Sequence, residues 1–350
     1  MRDKPLIPLR PTGSLIPVVS TSGIYATKAL TAFAPTTTAI AAIDELTSGA
    51  LWDATLNLDL KLRTSAGTAF QDFFSSVLEK SLGEDFVRIR PYGSLGDRGC
   101  DGYRPSTGCV YQSYGAVNGA TNAVTTLVRK IEDDFAKAYG DPELGPLMKE
   151  WRFAHNLSAG TPIEASLAIE ALAAKHPKIK FGLIGPAAIM DASFQLPLAK
   201  LEQIIGPTQE PFHVSVEITE LRKLVVALAR DADSAVVASL DLRPVPVKKL
   251  EYNKLPRRWK ITIEIGWQDT HVVDEYINGH PDPTVGDRIA AFFRTRYQDL
   301  KLQELDPGAI MDHLLLVIVG YGTSTHSRMI AAYALLAFLF ENCEIFDRGE

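Results

Sequence analysis

At 350 residues, with 46% hydrophobic and 22% charged residues, the chain has the make-up of a soluble globular protein long enough for two domains or for one core with an extension. A net charge of −6 excludes a general basic field, so nucleic acid has to be held by a local patch or through a partner. Three cysteines (Cys100, Cys109 and Cys343), with no Cys-x-x-Cys or Cys/His cluster, argue against a disulfide framework or a zinc site and for a reducing cytoplasm.

Residues 1–20 are interrupted by Pro5, Pro8, Pro11 and Pro17 and lack the continuous apolar core of a signal peptide. Residues 1–60, rich in Thr, Ala and Pro, form an N-terminal extension with a helix-like patch at 39–51 and no assigned function. Over 68–82, Phe70, Phe73, Phe74, Val77, Leu78 and Leu82 recur at helical spacing, with Gln71 at the edge of the stripe and Asp72 and Glu79 pointing away. Residues 86–90 alternate apolar and charged, the pattern of a half-buried strand with Arg88 and Arg90 on one face.

Residues 96–114 concentrate the chemistry. Two short Tyr-, Val- and Cys-rich runs, 100–104 and 109–114, flank the turn Pro105-Ser106-Thr107-Gly108 and predict an antiparallel hairpin, across which Cys100 and Cys109 have the chance to face each other. Pairing brings Asp101 and Gln112 to one end of it. A carboxylate, an amide oxygen and a strand carbonyl suit a hard cation such as magnesium, or manganese in its place. The run Gly96-Asp97-x-Gly99-x-Asp101-Gly102, followed by Tyr111-Gln112-x-x on the next strand, resembles the active-site hairpin of Mrr-like enzymes of the PD-(D/E)xK nuclease superfamily. The resemblance implies a magnesium-dependent deoxyribonuclease acting on double-stranded DNA, with Asp101 and Gln112 as metal ligands. Tyr114 stands where that family places a lysine. Branches of the superfamily move this cation to the second helix, which implies Lys130, with Arg88 as runner-up. The same families draw an acid from the first helix. Periodicity favours Gln71 over Glu79 for that place.

Helices are expected where Ala123, Val124, Leu127, Val128, Ile131, Phe135 and Ala138 share a face flanked by Lys130 and Asp134, and at 162–174, with strands at 151–155 and 179–184. The predicted fold is α/β, with the order helix, three strands, helix, strand around a mixed sheet, as in the restriction-endonuclease-like core, followed by a mainly helical domain. The expected division is 1–60, 61–210 and 211–350, with Gly206-Pro207 and Glu210-Pro211 at the second boundary. Helical patterns then dominate at 221–229, 285–300, 309–319 and 325–340. The apolar run 329–340 is too short to span a bilayer and reads as a buried helix. Lys248, Lys249, Lys254, Arg257, Arg258 and Lys260, interleaved with Tyr252 and Trp259, are the candidate nucleic-acid patch, against the alternative of a solvated loop.

Lys249-Leu250-Glu251-x-Asn253-Lys254-Leu255, a helix around 287–297 and the closing Ala332-x-x-Leu335-Leu336-Ala337-Phe338-Leu339-Phe340-Glu341-x-Cys343-x-Ile345-Phe346 resemble the C-terminal domain of the third component of ABC-three-component systems, bacterial defence operons of the Lamassu type. This resemblance implies docking on a middle component and an SMC-like ABC ATPase that restrains the effector, with a homo-oligomer on release. The competing reading is a nuclease-fold adaptor that has lost its chemistry, with Tyr114 as its mark. Seven dispersed histidines, with no i, i+4 pair, argue against a hydrolytic triad or a zinc site, and Ser324 and Ser327 read as polar residues opening the last helix.

Overall fold

The computed structural model describes residues 46–90, 97–208, 215–232, 249–322, 324–342 and 345–347. Residues 1–45, Gly96, Glu210, Pro211, His213, Lys248 and Cys343 lie outside them. Helix α1 (Ser48–Thr64) opens on Thr47, whose hydroxyl accepts the Ala50 amide at 3.3 Å, and closes with Lys61 and Arg63 at its negative end. Helix α2 (Thr68–Leu82) runs between Gly67 and Gly83, both in the left-handed region, and buries the expected stripe of Phe70, Phe73, Phe74, Val77 and Leu78.

Five strands follow: β1 (Val87–Arg88), β2 (Gly102–Arg104), β3 (Cys109–Tyr114), β4 (Glu150–His155) and β5 (Lys180–Ile184). They lie side by side in sequence order. The first three are antiparallel, while β3, β4 and β5 are parallel. The parallel pairs need crossovers, which α3 (Ala123–Gly140) and α4 (Ile163–Lys175) supply. These two helices close one face over Val110, Trp151 and Phe153, while α2 closes the other over Cys109, Tyr111 and Phe86. The strand paired within 86–90 is Val87–Arg88, shorter than the pattern predicts, and Ile89 still donates to the Asp101 carbonyl at 2.9 Å. Cys100 belongs to the α3 side and Cys109 to the α2 side. The expectation that they face one another is corrected by the register, in which Cys109 opposes Arg104 while Cys100 lies before the paired residues and on the other face.

Beyond the sheet come α5 (Pro186–Phe194), α6 (Leu198–Ile205), α7 (Ile218–Asp231), α8 (Lys249–Tyr252), α9 (Arg257–Gly266), α10 (Thr270–Asn278), α11 (Val285–Leu302), α12 (Pro307–Val319) and α13 (His326–Asn342). Helix α13 is apolar on all sides because α7, α9 and α12 surround it. It opens on Thr325, whose hydroxyl accepts the Arg328 amide at 3.2 Å, while Ser324 is buried and Ser327 donates to Glu217. One hydrophobic cluster runs from Leu46 through the α2 face of the sheet to Phe346, so the sheet and the C-terminal helices share a core. Helix α1 is set into it by Leu51, Leu56, Leu58 and Leu62 and packs on α9.

The joint between α2 and β3 is close. Gly67 donates its amide to the Gly115 carbonyl at 2.9 Å, and a Cβ on Gly115 would lie 2.5 Å from the Gly67 nitrogen and 2.7 Å from the Phe70 Cβ. Gly115→Ala is expected to pry α2 from the end of β3 and to cost about 1–3 kcal/mol. The change is read as a lower urea midpoint at unchanged m value. Gly140→Ala, which meets nothing within 4 Å, is expected to leave the midpoint in place.

Candidate active site

The β2–β3 ladder pairs Gly102 with Tyr111, Tyr103 with Val110 and Arg104 with Cys109. Past its end the Asp101 amide also donates to the Tyr111 carbonyl, so two residues of one strand oppose one of the other, as in a bulge. This offset carries the Asp101 carboxylate into the line of the sheet. There its Oδ2 accepts the Ser113 amide at 2.8 Å and the Ser113 hydroxyl at 2.6 Å. Gln71 on α2 brings its Nε2 to 3.4 Å from both carboxylate oxygens. Asp101 is only 8% exposed, and burial pushes its carboxyl up to about 6 against the bonds from Ser113, with the charges of Asp97 and Asp134 adding to the rise.

Gln112, one residue along, turns toward α3. Its Nε2 donates to Asp134 Oδ2 at 3.0 Å, and its Oε1 is buried without a hydrogen-bond partner. Asp134, itself 3% exposed, lies between two cations, with Lys130 Nζ at 3.2 Å and Lys137 Nζ at 3.8 Å. The chain entering the hairpin rests on the same point of α3: Gly99 has φ +73°, and a Cβ there would sit 2.5 Å from the Asp134 carbonyl oxygen. Only glycine fits so tight an approach.

The structure thus gathers Gln71, Asp101 and Ser113 on one side and Gln112, Asp134 and Lys130 on the other, joined by the Gln112–Ser113 peptide. Asp101 and Gln112 do meet at one end of the hairpin, but their side chains turn to different helices and no hydrogen bond links them. The expectation of a side-by-side pair overlooked the bulge. Glu79 does not arrive: it is 40% exposed and stands 3.7 Å from Arg88, which is also bound by Asp72. Arg88 is thereby occupied too. Tyr114 packs half-buried against the α3-side cluster. Sequence reasoning left out Ser113 and gave Asp134 no role, although its place one turn from Lys130 was a signal for the ion pair.

Among the described residues no three His, Cys, Asp or Glu side chains form a group able to hold a metal. A hard cation at the hairpin would rest on Asp101 and main-chain carbonyls, because Gln112 turns away to Asp134. The buried Asp101 carboxylate of raised proton affinity fits a cation, whereas the unpartnered Gln112 oxygen belongs to a side chain directed at α3 and does not complete a shared ligand set. His155 is buried, held neutral with its value lowered to about 4, and bonded to the Thr161 hydroxyl at 3.0 Å, a packing role.

The basic run after residue 248 is not the patch its composition suggests. Lys249 is buried with Nζ 2.7 Å from the Phe340 carbonyl, Arg258 is paired with Asp312, Arg257 bonds the Leu46 carbonyl, and Trp259 is in the core. Helices α8 and α9 turn Lys249, Arg258 and Trp259 inward, leaving Tyr252, Lys254 and Arg257 exposed and Lys260 half-buried. Lys248 lies outside the described residues.

The helices that receive these side chains give the decisive comparison. Residues 219–347 match C-terminal domain 10 of the ABC-three component (ABC-3C) systems. The match covers little more than a third of the chain and supports its membership of an ABC-3C system, with the other components of that system as implied partners. The ABC-3C domain begins within α7 and takes in α13. No curated protein and no solved structure matches the chain. Among the described residues no helix is long and apolar enough to cross a membrane.

Proposed function

We propose that the chain is the metal-dependent DNA endonuclease effector of an ABC-3C anti-phage complex, restrained by an SMC-like ABC ATPase and released on sensing foreign DNA. The observation that carries this reading is the buried Asp101 carboxylate, fixed by Ser113 and Gln71 at the end of the hairpin and free of any ion pair among the described residues. The order α2, three antiparallel strands, α3 and a parallel strand supports it, since the resemblance of the hairpin implies the same order. Magnesium or manganese, when bound, supplies a Lewis acid that activates water and offsets charge at the scissile phosphate. Asp101 would hold the cation, with Ser113 and Gln71 fixing the carboxylate, and Lys130, oriented by Asp134, would bring the positive charge that Tyr114 lacks. Duplex cutting then calls for two such sites, and so for a homo-oligomer.

Plasmid DNA incubated with magnesium and the ABC-3C partners tests this. Wild type is expected to linearise it, Asp101→Ala to leave it intact, and Lys130→Met to cut about a hundredfold more slowly. Lys137→Met is expected to cut normally. Intact plasmid with every protein would instead favour the adaptor reading, whose specific support is Tyr114 and the two Ser113 bonds already on Asp101 Oδ2.

A further inference from the structure

A second site lies at the other end of the sheet's logic. The connection leaving β4 passes to α4 on one face, while the connection leaving β5 passes to α5, whose Ile189, Met190 and Phe194 lie on the α2 face. The neighbouring parallel strands therefore send their chains to opposite faces, which opens a crevice at their carboxyl ends. Open α/β sheets take ligands at such switch points. A cavity of about 290 Å³ occupies this place, roofed by α1 and by the α9, α12 and α13 helices of the C-terminal region.

Its walls divide by chemistry. The first turn of α5 borders it, with Gly185 at the cap making no side-chain bond and Pro186 at the first position. Ile189 donates the first amide bond of the helix, to Gly185, so the Ala187 and Ala188 amides precede the ladder and point out of it. On α1, Arg63 is 6% exposed and bonds Asp59 Oδ1 through Nε at 3.0 Å, while its Nη1 and Asp59 Oδ2 are left without partners. Trp259 adds an indole N–H that is also unpartnered. Leu183, Leu316 and Met190 supply an apolar stretch of the remaining wall, which the Arg258–Asp312 pair and His313 also border.

We infer that this cavity binds a nucleoside monophosphate or a ligand of the same make, a flat polar ring joined to an anionic group. The anion caps α5, with Arg63 as the neighbouring cation. The ring lies on the apolar wall and exchanges a donor with Asp59 and an acceptor with Trp259. The complement of the unsatisfied groups, two donors and one acceptor beside a helix N-terminus, is a base plus a phosphate rather than either alone. Because both the sheet and the C-terminal helices wall the cavity, occupancy ties them together. The inference stands apart from the nuclease reading, since none of these residues belongs to the hairpin.

The full-length chain is titrated by calorimetry and by thermal shift with AMP, GMP, CMP and UMP, with the parent nucleosides and with inorganic phosphate, in the absence of DNA. At least one monophosphate is expected to bind and to raise Tm by about 5 °C at roughly a hundredfold excess over its Kd. Its nucleoside and phosphate alone are expected to bind at least about tenfold more weakly. Ala187→Asp puts a negative charge on an exposed helix start that tolerates it structurally, and is expected to weaken binding at least about tenfold without lowering the Tm of the free protein. Arg63→Gln is expected to weaken it likewise. No binding of any monophosphate at millimolar concentration, or equal binding by both variants, or phosphate bound as tightly as the nucleotide, would overturn the inference.

Discussion

Asp101→Asn is expected to melt at a higher temperature than the wild type at pH 8 and at the same temperature at pH 4. The Asp101 carboxyl is pushed up to about 6 in the folded protein, chiefly by burial, from an ordinary value near 3.9. A group raised in this way favours folding while it is protonated. Its contribution is whole below the unfolded value and is lost as pH climbs through the folded one, so ionisation above pH 6 costs up to about 3 kcal/mol. Asparagine carries no such charge, and its amide oxygen still accepts the Ser113 amide. Magnesium supplies the second half of the test. In the wild type at pH 8 the cation is expected to restore most of the lost Tm, because it neutralises the carboxylate. In Asp101→Asn it is expected to restore nothing. Parallel melting curves for the two proteins across pH 4 to 8, or equal responses to magnesium, would remove the basis for the proposed metal site.

The second large effect lies where the C-terminal helices meet α5. Arg258 on α9 reaches both oxygens of Asp312 on α12, at 3.0 and 2.7 Å. Burial works against the Arg258 charge, but Asp312 and then Asp191 on α5 outweigh it and keep the guanidinium firmly charged. Asp312→Ala strips the main partner from a guanidinium that is only 12% exposed. A loss of about 3–5 kcal/mol is expected in a denaturant titration. The double variant Arg258→Met with Asp312→Leu, which removes both charges and keeps the volume, is expected to recover most of it. A single variant as stable as the wild type would mean that Asp191 alone suffices.

Much of the scaffold was legible because burial imposes a period. Helices α2 and α3 each show a one-sided apolar stripe, and the same reading placed Gln71 at the edge of the stripe that meets Asp101. Helix α1 was not legible. Its Leu56, Leu58, Leu60 and Leu62 alternate with polar residues as a strand would, yet the segment is helical, because the sheet and the C-terminal helices enclose it and bury leucines on several sides. The hairpin was placed correctly in outline, but its bulge is a main-chain event at Asp101 and Tyr111 that side-chain identity does not announce. The basic run failed for another reason. Local charge density says nothing of the Asp312 and Phe340 partners of Arg258 and Lys249, which are far along the chain.

Helix α1 has a consequence for how such proteins diversify. It precedes the sheet in the chain but seats its leucines in the same apolar mass as α9 and α13. Exchanging only the stretch after residue 215 between two proteins of this build would leave those leucines facing foreign side chains. An exchange that preserves the fold has to move α1 with the distant helices it fits, or refit their contact surface afterwards.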